Sequence, residues 1–306
     1  MKDIFISDEQ LYKKKLKRWR IAFFMLLFVF IAFIYVNFNY LAFKILISKF
    51  YIFEDSLKEI YDESLGEENF RSYLKDFDYV VMDVFTDKIR EKNDDRYTYL
   101  YTPQQFEYSN ENRKTVALEF FTEELDAETV YVKLPNISKE TKKQLFESVK
   151  TLEKYKNIIV DLRDNSGGDL YYLYKMESLF LDKDVTLGFE KTRIDLFTNE
   201  IINKKNKKLE FENIVLLQNG NTASAAEGFI TALKENSDNV LIIGETSFGK
   251  GIGQFTMPLT AGYAVKATIL NVETPKNNSI HRVGIEPDIV YDKDDIIDFS
   301  HSKIIE

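Results

Sequence analysis

The chain has 306 residues, 44% of them hydrophobic, with 41 Lys+Arg against 50 Asp+Glu, a net charge of -9 and no Cys. That length gives one large or two modest domains with a sizeable core, and the composition excludes a disordered, collagen-like or linker-rich chain. Without Cys there is no disulfide, thiolate nucleophile or Cys-held metal, and two histidines, His281 and His301, do not make a His-rich metal site.

Residues 1–44 carry eight Lys/Arg and three acids, which leaves 33 bases against 47 acids for the other 262 residues. A body this acidic repels a phosphate backbone, so nucleic acid is not an expected partner. Residues 21–43 (IAFFMLLFVFIAFIYVNFNYLAF) hold no charge and are long enough, at 1.5 Å rise per residue, to cross a bilayer as a helix. Six bases stand in the eight residues before it (KKKLKRWR, 13–20), while acids follow it at Glu54, Asp55 and Glu59. The positive-inside bias therefore predicts a cytoplasmic basic segment over 1–20, a single-pass anchor over 21–43 and an extracytoplasmic body. A cleaved signal peptide would need a shorter apolar core and small residues before the cut, and bulky Tyr40 stands where one would be required.

From 44 to 106 the spacing predicts a helical region. Phe53, Leu57, Ile60 and Tyr61, then Phe70, Tyr73, Leu74 and Phe77, then Val80, Val81, Val84, Phe85 and Ile89 recur at helical intervals, and a loop with a short strand follows over 91–106. Residues 107–127 read as a connector. Strands are predicted at Val130–Leu134, Asn157–Leu162, Ile214–Leu217 and Val240–Ile243, with extended segments at Ile252–Met257 and Tyr263–Val272. Helices fall between them at Ser138–Tyr155, with Ser138 as N-cap, and at Leu170–Leu181 and Ala223–Glu235. This alternation predicts an α/β layered core over 128–291 and a tail over 292–306.

Two glycine-punctuated regions carry the candidate chemistry, DLRDNSGGDL (161–170) and QNGNTASAAEGF (218–229) with GETSFGKGIGQ (244–254). The second resembles a P-loop at Gly244, Gly249 and Lys250, but Gly251 stands where a magnesium-binding Ser/Thr belongs. Ser224, between small alanines at a predicted helix start, faces unpaired N–H groups that favour a developing negative charge. With histidine scarce, Lys250 is the natural base to take its proton, and Gln254, four residues on, lies on the same face of an extended segment. Each of these residues also has a plain reading, as helix cap, surface loop charge or surface strand residue.

Taken together, IIVDLRDNSGG (158–168), TASAAE (222–227), GETSFGKGIGQ (244–254) and GIEPDIVY (284–291) resemble, in order, the motifs of the C-terminal processing (tail-specific) serine peptidases. The resemblance implies a Ser/Lys peptidase on a crotonase/ClpP-like α/β core, with no metal or other cofactor and no nucleotide. It assigns Ser224 as nucleophile, Lys250 as general base and Gln254 as its orienting partner. The oxyanion hole would be formed by backbone amides of Gly167, Gly168 and Ala225. Asp161 and Arg163 would form a structural pair. Many members of that family carry a PDZ module before the core, and the short stretch from Phe106 to Val130 leaves no room for one. The expected function is thus a membrane-anchored endopeptidase acting on extracytoplasmic proteins or peptides, the alternative being a non-catalytic peptide-binding or scaffolding relative.

Overall fold

The structure, a computed structural model, describes residues 8–53, 79–115 and 119–305. Most of the helical pattern expected between Phe53 and Phe77 lies outside the described residues. Two compact units are formed, one from residues 1–49, 53–106 and 256–266, the other from 50–52, 107–255 and 267–306.

In the first unit, helix α1 spans Asp8–Val36 and contains a 25-residue stretch, Tyr12–Val36, long and apolar enough to cross a membrane. Its side chains from Phe23 to Phe30 are exposed. The continuous helix differs from the expected 21–43 span. It breaks at Asn37, whose amide donates to the Phe33 carbonyl at 2.8 Å, and helix α2 follows at Phe38–Ile45. Ala42 and Phe43, expected within the anchor, are instead buried, with Phe43 edge-on to Phe85 at 6.3 Å. Helix α3 (Tyr79–Asn93) buries Met82, Phe85 and Ile89 at i, i+3 and i+7, one face of a 3.6-residue period. Strand β1 (Tyr99–Tyr101) pairs antiparallel with residues 264–266. Helix α4 (Pro103–Thr115) starts at the end of this unit and continues as residues 107–115 of the second; its first residue is a proline, whose missing N–H costs nothing in a first turn. This helix occupies much of the stretch read from sequence as a connector.

The second unit is built on a six-stranded sheet. Its members are β2 (Phe121–Glu124), β3 (Thr129–Lys133), β4 (Asn157–Asp161), β7 (Asn213–Gln218), β8 (Val240–Gly244) and β11 (Ile289–Val290), in the order β11-β8-β7-β4-β3-β2. All neighbours are parallel except edge strand β2, which also begins inside the expected connector. The parallel strands are apolar on both faces because both are covered. Val130, Val132, Ile158, Val160, Leu216 and Ile242 meet helices α5 (Lys139–Leu152), α6 (Leu170–Glu177) and α7 (Ala225–Asn236) on one side. Tyr131, Ile159, Val215, Leu217 and Ile243 face the other way, toward Ile296 of helix α8 (Ile296–Ile305). The residues expected as a tail therefore close the second face of the sheet. The Ser138 side chain caps α5, accepting from Thr141 N, as its sequence position predicts.

Between α6 and β7 the chain forms a hairpin absent from the sequence reading, β5 (Thr186–Lys191) with β6 (Asn199–Ile202), joined antiparallel with a register shift at Thr186/Gly188. Strand β9 (Ile252–Pro258) precedes β10 (Ala264–Glu273), whose last residues pair with β5.

Candidate active site

Strands β4, β7 and β8 are neighbours and all run the same way, so the loops leaving their carboxyl ends converge. In an open parallel sheet that edge is where ligands bind. The loops are 162–169 after β4, 219–224 after β7 and 245–251 after β8, and they hold the motifs picked out in the sequence. Backbone bonds join them: Ala223 N donates to Asn165 O at 2.9 Å and Phe248 N to Thr222 O at 2.9 Å. The Thr222 hydroxyl donates to Leu162 O at 2.9 Å. The site is therefore fixed by three loops bonded to one another.

Ser224 precedes the first residue of α7 and adopts φ 59, ψ -123. An ordinary N-cap is extended, whereas this conformation is sparsely populated for an L-residue and costs about 1–3 kcal/mol. A plain capping role does not need that strain. The cost is met by Glu227, fully buried in the first turn of α7. Its Oε2 accepts from the backbone N of Ser224 at 2.8 Å and of Lys250 at 2.8 Å, while Oε1 accepts from Gly249 N at 2.7 Å and the Ser247 hydroxyl. One carboxylate thus ties the backbone of both candidate catalytic residues.

Ser224, Ala225 and Lys250 line a single narrow cavity with room for about 20 Å³ of water-sized space. Leu170 and Leu173 of α6 and Val272 of β10 give it apolar walls. Gln254 is not among its lining residues. Its amide nitrogen donates to the Thr268 hydroxyl at 3.4 Å; Ser224 and Lys250 share the cavity lining.

The three amides expected around the oxyanion divide differently. Gly167 N donates to the Asn165 side chain at 2.9 Å and is already occupied. The amides of Gly168 and Ala225 have no acceptor among the described residues. Gly167 lies directly against the helix start. A Cβ there would stand 2.6 Å from Ala223 O and 2.8 Å from Ala225 N, and its φ of +93 is one that L side chains rarely adopt. Gly167→Ala is therefore expected to displace the turn from Ser224 and, if the peptidase expectation holds, to lower peptide hydrolysis by at least about a hundredfold, with the helical circular dichroism retained. Activity near wild type would show that the turn does not need its close approach.

Behind the β4 loop, Asp161 is fully buried and accepts from Arg163 Nη2 at 2.6 Å, Arg163 N at 2.9 Å and the Tyr131 hydroxyl at 2.6 Å, with Lys133 Nζ at 3.3 Å. Burial pushes this carboxyl up, but Arg163, Lys133 and Tyr131 outweigh it and hold it below the ordinary carboxylate range. The same burial, with the Asp161 charge, pushes the Tyr131 phenol up. The pair fixes the loop that carries Gly167 and Gly168. At the far end of the sheet Asp288 accepts from Ile242 N and Lys234 Nζ, both at 2.8 Å, which sets the turn into β11.

Glu227 ends the TASAAE motif (222–227), where spacing alone assigns it no chemistry. The signal was there, because Ser-x-x-Glu at a helix start is a capping-box pattern. Asn165, which occupies the Gly167 amide and reaches Leu134 O at 2.8 Å, had no such signal.

With the geometry in place, comparison with known proteins adds the following. The sequence profile of "Peptidase family S41" matches residues 128–291. Over 180 residues the chain is 33% identical to the carboxy-terminal processing protease CtpA of Bacillus subtilis, covering 58% of this chain and 38% of that protein. Over 190 residues it is 32% identical to a carboxyl-terminal-processing protease of Picosynechococcus, covering 60% and 45%. The chain thus matches less than half the length of those curated relatives. A lipoprotein structure from Streptococcus agalactiae shares the fold, with a TM-score of 0.58 and 18% identity over 82% of this chain and 94% of that one.

Proposed function

The chain belongs to peptidase family S41, and from that premise we propose that it is a membrane-anchored serine endopeptidase. In this reading it hydrolyses peptide bonds of extracytoplasmic proteins on a crotonase/ClpP-like core. The observation that carries the reading is the meeting of Ser224, Lys250 and the first amide of α7 in one apolar-walled cavity, with both backbones held by Glu227.

Lys250 takes the Ser224 proton as the hydroxyl attacks the scissile carbonyl. The amides of Ala225 and Gly168 then donate to the oxyanion, aided by the positive end of the α7 dipole. The ammonium of Lys250 returns its proton to the leaving amine, and water repeats the cycle on the acyl-enzyme. Gly167 supplies the close backbone approach instead of a donor. Gln254, four residues beyond Lys250 on strand β9 and donating to the Thr268 hydroxyl, orients the lysine amine. None of these steps calls on a metal, a nucleotide or another cofactor.

The basic run 13–20, within α1 and ahead of its apolar part, supports a cytoplasmic N-terminus, with the spanning part taken from Tyr12–Val36 and the second unit as the peptidase body. The stretch between α4 and β3 is too short to hold a PDZ module. Two assays on the full chain test the proposal. The detergent-solubilised protein should hydrolyse an extended peptide in the presence of EDTA. In intact cells an externally added protease should digest the body and spare an N-terminal tag. A protein inert toward all extended peptides, or the reverse protection pattern, overturns the corresponding half.

A further inference from the structure

The cavity beside Ser224 ends on a group that the proposed chemistry does not use. Glu177 closes the last turn of α6, is fully buried, and neither of its carboxyl oxygens has a hydrogen-bond partner. Buried polar groups are nearly always paired, so an orphan carboxyl needs a reason. It lines the same cavity as Ser224 and Lys250. We infer that this cavity receives the lysine side chain that precedes the scissile bond, with Glu177 as its counter-charge; the inference rests on the peptidase reading above.

Position supports it. Helix α6 starts at Leu170, two residues past Gly168, and Glu177 is seven residues further, roughly 10 Å along the helix axis. Leu170, Leu173 and Glu177 fall at i, i+3 and i+7 and share a face, and all three line the cavity. Helical side chains lean toward the N-terminus, which turns the carboxyl back along the cavity toward the serine. The walls between the two ends are apolar and suit the methylenes of a long side chain whose charge lies only at the tip.

The cavity's other acid has a cation beside it. Glu273 of β10 also lines the cavity, but Lys191 of β5 stands 2.7 Å from it. The Tyr174 hydroxyl of α6 donates to Glu190 at 2.8 Å. Thr231 of α7 spends its hydroxyl on the Glu227 and Gly228 carbonyls at 3.1 Å each. Glu177 is left as the cavity's unpaired acid, and burial alone pushes its carboxyl well above the ordinary carboxylate range. An incoming ammonium replaces that proton as its partner. Lysine fits better than arginine because it brings three donors to one carboxylate, whereas a guanidinium brings five into apolar walls.

The test separates recognition from chemistry by using full-length protein carrying Ser224→Ala. Two fluorescent product-like peptides, identical except for a C-terminal lysine or norleucine, are titrated against it. The lysine peptide is expected to bind at least about tenfold more tightly, and adding Glu177→Gln to bring the ratio close to one. A second variant, Glu177→Leu, removes the orphan carboxyl and is expected to raise the melting temperature while losing the preference. Equal or undetectable binding of both peptides overturns the inference. So does a ratio that Glu177→Gln leaves unchanged, a lowered melting temperature in Glu177→Leu, or an arginine peptide that binds better than lysine. Failure of the peptidase reading alone would look different: wild-type protein hydrolysing nothing while the lysine preference persists.

Discussion

Ser224→Ala is expected to lower kcat/KM toward an extended peptide by about 10⁴–10⁶, and Lys250→Ala to lower it nearly as far, with the double variant little worse than either. Non-additivity is the signature of groups that act as one unit. A serine hydroxyl is a weak nucleophile until a base removes its proton, and a lysine at its reference pKa of about 10.4 is protonated at neutral pH. Bringing that value down by about three units needs roughly 4 kcal/mol of desolvation or like-charge cost. Apolar walls at Leu170, Leu173 and Val272 are the means available in this cavity. Both variants should keep wild-type circular dichroism, because the four bonds to Glu227 come from backbone amides and the Ser247 hydroxyl, not from the substituted side chains. Strictly additive losses would show that the two residues act separately.

The second large effect is expected at Glu227. Four donors converge on its two oxygens, so Glu227→Gln turns one acceptor into an amide that faces other donors. Hydrogen bonds to a buried charge are worth about 1.5–3 kcal/mol each, and an unsatisfied buried group costs a similar amount. A loss of about 2–4 kcal/mol in unfolding free energy is therefore expected. The strained backbone of Ser224 would relax at the same time, and kcat would fall about a hundredfold or more with KM changed little. Glu227 is a positioning residue in this account, and the split between kcat and KM separates that role from a merely structural one. Equal falls in stability and substrate affinity with kcat intact would assign it to the fold alone.

How far the sequence could be read depends on the kind of signal each element carries. The strands β4, β7 and β8 are short, continuous apolar runs bounded by turn residues, and they stand where the sequence places them, within a residue or two. Ser138 announces α5 in the same way, through a cap. The β5–β6 hairpin was missed because TLGFEK and NEII are short, mixed in polarity and carry no tight-turn dipeptide. The helix break at Asn37 inside the apolar run 21–43 carries no local signal, because Ala42 and Phe43, buried in the structure, are as apolar as the residues before them. Residues 256–266 join the first unit although they follow the site in sequence, a pairing of β1 with β10 that no local pattern encodes. At the site, spacing and motif named Ser224, Lys250 and the glycine turn. Only geometry distinguishes the occupied amide of Gly167 from the open ones at Gly168 and Ala225, and uncovers Glu177.

The most direct measurement is the pH dependence of Ser224 modification by a fluorophosphonate probe, compared between the wild-type chain and Lys250→Ala. The wild-type rate is expected to rise with pH along a single ionisation lying below the ordinary lysine value of about 10.4, and the variant to react at a negligible rate throughout. Equal rates with the same pH profile in both proteins would contradict a neutral lysine as the base that activates the serine.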